Sequence, residues 1–125
     1  MSETLALIQN VLDGLREAEG FSAASLVRRD GILIAASLPE DADSNSLAAM
    51  TAAIVGTSEQ SAVSLKLGEF SNVIIEASGG KIISIGISPL AILSCIVGKN
   101  ANLGLVMLTM RKAGDTLKGS LLESE

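Results

Sequence analysis

From Ile82 to Gly98 the chain runs for 17 residues without a charge, between Lys81 and Lys99. Such a run either crosses a membrane or is buried in a protein core. A spanning helix needs about 20 predominantly apolar residues. This run is shorter, carries Ser84, Gly86, Ser88 and Ser94, and is split at its middle by Ser88-Pro89. Each half reads as a strand, Ile82–Ile87 and Ile92–Val97, and isoleucine density favours that reading. Both halves are apolar on both pleat faces. They are therefore central strands covered on both sides, and the rest of the chain must supply two covering layers.

The remaining segments supply them. Leu5, Ile8, Leu12 and Leu15, with Val11 beside them, make a helical stripe that Ser2 caps and Gly20 ends. The period then changes. Phe21–Arg28 reads as a strand, Asp30-Gly31 as a hairpin turn and Ile32–Ser37 as the returning strand. After the acidic loop Pro39–Asp43, a long helix is expected from Ser46 to Leu67, capped by Asp43 or Ser44. Glu69–Ala77 reads as a third strand, with Ser78-Gly79-Gly80 as its turn. A last helix is expected over Ala101–Ser120, with Leu103, Val106, Met107, Met110, Leu117 and Leu121 as its stripe and Glu123-Ser124-Glu125 as a frayed tail. The order is α-β-β-α-β-β-β-α: one α+β domain over residues 1–125, with a five-stranded antiparallel sheet covered by helices on both faces. At 125 residues the chain suits one domain.

Composition excludes much chemistry. There is no His, so triads and His-based acid–base or zinc chemistry are out. Cys95 is the single cysteine and sits inside an apolar strand, where it reads as a small hydrophobe. A reducing, cytoplasmic compartment fits, and Met1-Ser2-Glu3-Thr4 does not read as a signal peptide. Aromatic residues are limited to Phe21 and Phe70. Residues 1–45 carry eight acids against three bases. This argues against nucleic acid and anionic lipid as partners.

No local constellation points to catalysis. Asp41 and Asp43 sit close enough to share a cation, but a helix-capping loop is the simpler reading. Glu69 and Glu76 are expected on opposite faces of one strand. Gly98-Lys99-Asn100 precedes a helix, yet the GxxxxGK[ST] phosphate loop is absent. Arg16, Arg28, Arg29 and Arg111 are candidates for an arginine inserted into a partner's nucleotide site, although Arg28-Arg29 beside a hairpin reads first as a solvated turn. No cofactor or metal site is expected.

Two features remain unexplained by a monomer. The second helix carries Leu47, Met50, Ile54, Ser58, Ser61 and Leu65 on one face and Ala48, Ala49, Ala52, Ala53 and Thr57 on the other, with only Glu59 and Lys66 charged. A surface helix normally shows a charged face. The third strand, with Val73, Ile74 and Ile75, is expected at a sheet edge, where an apolar strand invites pairing. Shielding by Glu69 and Glu76 is one answer. A two-fold homodimer answers both features together, with edge strands paired through Val73 and Ile75 and the second helices packed through the Leu47–Leu65 stripe.

The whole chain resembles the Roadblock/dynein light chain domain family, and among its prokaryotic members the MglB-like proteins. The likeness rests on Leu12, Leu15 and Gly20-Phe21-Ser22-Ala23-Ala24-Ser25-Leu26-Val27 running into Asp30-Gly31-Ile32-Leu33-Ile34-Ala35. It continues through the alanine-rich helix from Leu47 and the strand pair Val73-Ile74-Ile75 and Ile82-Ile83-Ser84. The resemblance implies a non-catalytic dimeric adaptor that binds a Ras-like small GTPase, either as a scaffold or by stimulating GTP hydrolysis without supplying a catalytic arginine. It implies docking on the paired second helices, through Thr57, Glu59, Gln60 and Ser64. The alternative is a ligand-sensing module of the PAS or profilin-like kind, which requires an apolar pocket with a few polar groups.

Overall fold

The computed structural model describes the backbone of residues 2–124 and the side chains of residues 3–121. The expected cap by the Ser2 side chain and the tail residue Glu125 lie outside what is described. Eight elements follow in the expected order: α1 (Ser2–Glu17), β1 (Phe21–Arg28), β2 (Leu33–Ser37), α2 (Ser44–Ser64), β3 (Asn72–Ala77), β4 (Gly80–Gly86), β5 (Ala91–Val97) and α3 (Leu103–Ser124). The five strands form one antiparallel sheet in the order β2-β1-β5-β4-β3. The uncharged run supplies β4 and β5, and β5 lies at the centre.

Strand alternation sorts the two faces. Ala24, Leu26, Ile83, Ile85, Leu93, Cys95 and Val97 pack with Ile8, Leu12 and Leu15 of α1 and Val106, Met110 and Leu117 of α3. This is the main core. Its large side chains are each worth about 1.5–3 kcal/mol of burial, which is why this layer dominates the stability. The opposite face carries Ser25, Ile92, Ser94, Ile82, Ser84 and Gly86, and α2 lies there, touching all five strands. Three serines form a polar seam in this layer. Ser25 Oγ donates to the Ser94 carbonyl at 3.2 Å, and the Ser84 and Ser94 hydroxyls pair at 2.9 Å. Buried hydroxyls without partners would be costly, and these have them.

Several expected boundaries shift, each for a local reason. The hairpin turn takes in Ile32, which is 53% exposed, because Gly31 holds φ +93 and the Arg28 amide closes onto the Ile32 carbonyl. The second helix starts at Ser44 and ends at Ser64, before Leu67. Asp43 is its cap, accepting from the Ser46 amide at 3.1 Å. At the other end Lys66 adopts φ 58, while its amide reaches the Val63 carbonyl and the Leu67 amide the Ala62 carbonyl. This is a Schellman closure with lysine where glycine is usual. Residues 65–71 are thereby turned out of both helix and strand. Glu69, expected inside the third strand, therefore precedes it. The last helix starts at Leu103 because Asn102 caps it, accepting from the Leu105 amide at 3.0 Å. Leu103, expected in the stripe, is 37% exposed at that end.

Candidate functional site

The two sheet edges are treated differently. At the β2 edge, Gln9 Nε2 donates to the Ala36 carbonyl at 2.9 Å and Arg16 Nη1 to the Leu38 carbonyl at 3.0 Å, so α1 occupies outward-facing carbonyls there. At the β3 edge no described side chain bonds to the backbone of residues 72–77. Ile74 is 37% exposed there, and Val73 and Ile75 are half-buried. An unpaired apolar edge is a template for another strand.

Beside this edge lies the outward flank of α2. Only Ala48, Thr51 and Val55 of the helix are fully buried. The stripe expected from the sequence points elsewhere: Met50 is 56% exposed, Ile54 37% and Leu65 68%, Leu47 and Ser58 are half-buried, and Ser61 is exposed. Ala53, Ile54, Thr57, Ser58, Ser61 and Ala62 form one wall of a groove of about 690 Å³, and Leu67 and Glu69–Val73 form the other. The middle of the helix stripe, Ile54, Ser58 and Ser61, and the start of the open edge, Asn72 and Val73, therefore face one shared groove. A row of half-buried isoleucines, Ile75, Ile82 and Ile96, crosses β3, β4 and β5 on the same sheet face by register. Sequence reading did not single out Ile82 and Ile96 for this surface, because their strands read as fully covered.

The residues expected at a docking surface divide. Thr57, Gln60 and Ser64 are exposed, and Gln60 Nε2 reaches the Ser64 hydroxyl at 3.2 Å. Glu59 is half-buried, its carboxylate held by Arg29 Nη1 at 2.5 Å. The adjacent arginines also divide: Arg28 pairs with its hairpin neighbour Asp30 in solvent, whereas Arg29 turns across the sheet end.

The other candidates take structural roles. Asp43 is held below the ordinary carboxylate range by hydrogen bonds from the Ser46 hydroxyl and amide, and Asp30 by the Arg28 guanidinium. Burial pushes the Cys95 thiol up to about 12, which leaves it protonated at neutral pH. Among the described residues no group of His, Cys, Asp and Glu could hold a metal ion, and no helix is long and apolar enough to cross a membrane. The Gly98–Asn102 segment borders a cleft of about 780 Å³ with Glu19, Ser78 and Gly79. Loop residues line it beside the apolar side chains of Ala101, Leu105 and Val106.

A family model described as the Roadblock/LC7 domain matches residues 7–97. The uncharacterized protein MJ0310 of Methanocaldococcus jannaschii is 32% identical over 112 residues, covering 90% of this chain and 97% of its own. Among solved structures, MglB of Myxococcus xanthus superposes with a TM-score of 0.88 at 28% identity, over 96% of this chain and 90% of that one. The gliding protein MglB of Thermus thermophilus gives 0.84 at 20% identity, over 96% and 92%.

Proposed function

The chain belongs to the Roadblock/LC7 domain family, and from that premise we propose that it is a non-catalytic, two-fold dimeric regulator that binds a Ras-like small GTPase. The observation that carries this reading is the shared groove. The exposed stripe of α2 and the unpaired edge of β3 open on the same side of the sheet. A two-fold partner placed there pairs β3 with its own copy, making one continuous ten-stranded sheet. It also packs Met50, Ile54, Ser58, Ser61 and Leu65 against the same residues of the partner, and extends apolar cover toward Ile75 and Ile82. Leu47 and Val73 lie at the ends of that contact. An isologous interface of this kind uses one patch twice and closes on itself.

Pairing leaves the crest of α2 free. Gln60 and Ser64 form a small, uncharged platform there, with Thr57 at the rim of the groove that pairing fills, suited to a transient partner whose rim is polar. Glu59 contributes less directly, because its carboxylate is turned to Arg29. Both hairpin arginines already have carboxylate partners within the chain, which favours stimulation or scaffolding without an inserted arginine.

The test is titration calorimetry of the purified dimer with Ras-like GTPases from the same genome, each loaded with GDP or a non-hydrolysable GTP analogue. The reading expects binding to at least one, and loss of that binding in Ser64→Arg with the dimer intact. Binding that survives Ser64→Arg moves the docking site to another face. Absence of binding to every such GTPase removes the partner assignment.

A further inference from the structure

We propose that Arg29 is a positioning residue: its guanidinium, seated between Gly86, Ser88 and Glu59, straps α2 to the sheet and so sets the alignment of the pairing surface. The proposal rests on the dimer reading above for its functional consequence, though not for the strap itself.

The first observation is how little else holds α2. A helix of 21 residues buries only Ala48, Thr51 and Val55, all small or medium in size, against a sheet face seamed with serine hydroxyls. By contrast α1 and α3 insert Ile8, Leu12, Met110 and Leu117 into the main core. Burial energy scales with apolar area, so α2 is the layer least fixed by packing.

The second observation is where its charge goes. Glu59 is the sole charged residue within Ser44–Ser64. Its carboxylate accepts from Arg29 Nη1 at 2.5 Å, while Arg29 Nε donates to the Ser88 carbonyl at 3.1 Å. The Arg29 amide also donates to the Leu90 carbonyl at 3.0 Å. One residue thus joins the end of β1, the β4–β5 turn and the C-terminal half of α2. The paired side chains are 26% and 36% exposed, against 53% and 54% for the neighbouring Arg28–Asp30 pair. Reduced solvent contact makes the Arg29 pair the stronger of the two.

The third observation is Gly86. A Cβ added there would lie 2.6 Å from Arg29 Nη2, and nothing else crowds it within ordinary contact except the same guanidinium carbon at 3.8 Å. The backbone at Gly86 does not occupy the left-handed region that favours glycine. Glycine here leaves the space into which the Nη2 end of the guanidinium points. Charge, carbonyl and space come from three separate elements and converge on one arginine.

The consequence for pairing follows from geometry. The tilt of α2 decides where Met50, Ile54 and Ser61 stand relative to the β3 edge. If loss of the strap leaves a fraction of protomers correctly aligned, apparent affinity falls by that fraction for each protomer. A two-fold interface uses α2 twice, so about a tenfold loss per protomer becomes about a hundredfold in Kd.

The experiment uses the full chain and the variants Arg29→Gln, Arg29→Lys, Glu59→Gln, Gly86→Ala and the double variant Arg29→Gln/Glu59→Gln. Dimer Kd is measured by analytical ultracentrifugation, and amide exchange by mass spectrometry. The strap predicts that Arg29→Gln and Glu59→Gln each raise Kd by about ten- to a hundredfold and speed exchange of α2 amides alone, and that Gly86→Ala, which displaces only the guanidinium tip, changes both in the same direction by less. Gly86→Ala should do so with both charges present. The double variant should be no worse than either single one, and Arg29→Lys, which keeps the charge but not the fork, should fall between. Unchanged Kd and unchanged α2 exchange in the three single variants overturn the proposal. So does faster exchange spread equally over α1, β5 and α3, which marks Arg29 as a general stabiliser. If the wild type is monomeric at every concentration, the dimer reading fails on its own. The strap is then judged by α2 exchange, where unchanged rates overturn it and selectively faster rates uphold it.

Discussion

Replacing Ile54 with aspartate separates an interface role for the α2 stripe from a purely internal one. Ile54 is 37% exposed in the single chain, so about two-thirds of its side chain already packs within its own fold. Full burial of an isoleucine is worth about 1.5–3 kcal/mol, so the isolated chain loses about 1–2 kcal/mol when that packing goes. A domain stable by about 5–15 kcal/mol survives this, since the new carboxylate reaches water along the open groove. In the dimer the remaining third is covered as well, worth about 0.6–1.1 kcal/mol per protomer and about 1–2 kcal/mol for the pair. Two carboxylates buried there without partners, one from each protomer, add about 6–10 kcal/mol. The interface therefore weakens by about 7–12 kcal/mol, which is more than a ten-thousandfold in Kd at about 1.4 kcal/mol per decade. Sedimentation velocity over a concentration series, with far-ultraviolet circular dichroism on the same samples, reads both effects. Leu108→Asp is the control, because Leu108 is 52% exposed on α3, on the other face of the sheet. The expected result is a folded Ile54→Asp monomer and a Leu108→Asp dimer. An Ile54→Asp dimer refutes the placement of the stripe at the interface, and an unfolded Ile54→Asp chain shows that the stripe serves its own sheet.

Other expectations follow from single residues. Lys66→Gly should raise stability by about 0.5–1 kcal/mol, read as a higher unfolding midpoint, because lysine occupies φ 58 where glycine carries no steric penalty; an unchanged or lower midpoint counts against the Schellman closure. Cys95, with its thiol pushed up to about 12, should resist alkylation at neutral pH until the chain unfolds, so labelling should track the unfolding transition; labelling of the native protein contradicts its burial. The depressed Asp43 carboxyl should contribute stability that is present above its ordinary value of 3.8 and is lost as pH falls through the lower folded-state value. Asp43→Asn keeps a capping oxygen without the titration, so the gap in unfolding midpoint between wild type and variant should close on acidification; a gap that widens reverses the sign of that argument.

The layers of this fold were legible because two periods alternate cleanly. The 4-3 spacing of Ile8, Leu12 and Leu15 marks the face that α1 buries, although Leu5, which extends the pattern, is exposed, and the two-sided apolarity of β5 marks the sheet centre. What sequence could not supply was pairing over distance. Glu59 read as a docking residue because nothing local opposes it; its partner Arg29 lies 30 positions away and meets it only once β1 and the β4–β5 turn are assembled. Gly86 reads as a small residue in a strand, and its purpose appears only with Arg29 Nη2 pointed at it. The pattern carries α2 past its true end because Leu65 and Leu67 continue the apolar spacing, while the lysine between them shows no sign of the left-handed turn it makes. The groove was partly legible. The stripe and the edge strand were each visible in sequence, but their opening on one side depends on the crossing of α2 over the sheet.

Amide exchange at β3 tests the central claim most directly, because it locates the interface as well as detecting it. In a single chain the amides of Asn72–Ala77 that point away from β4 have no partner among the described residues, and they should exchange at rates near those of an open strand. The account predicts strong protection of alternate β3 amides at concentrations where the wild-type chain is dimeric, and loss of that protection in Ile54→Asp. Alternate β3 amides that exchange freely in a dimeric wild-type sample would contradict it.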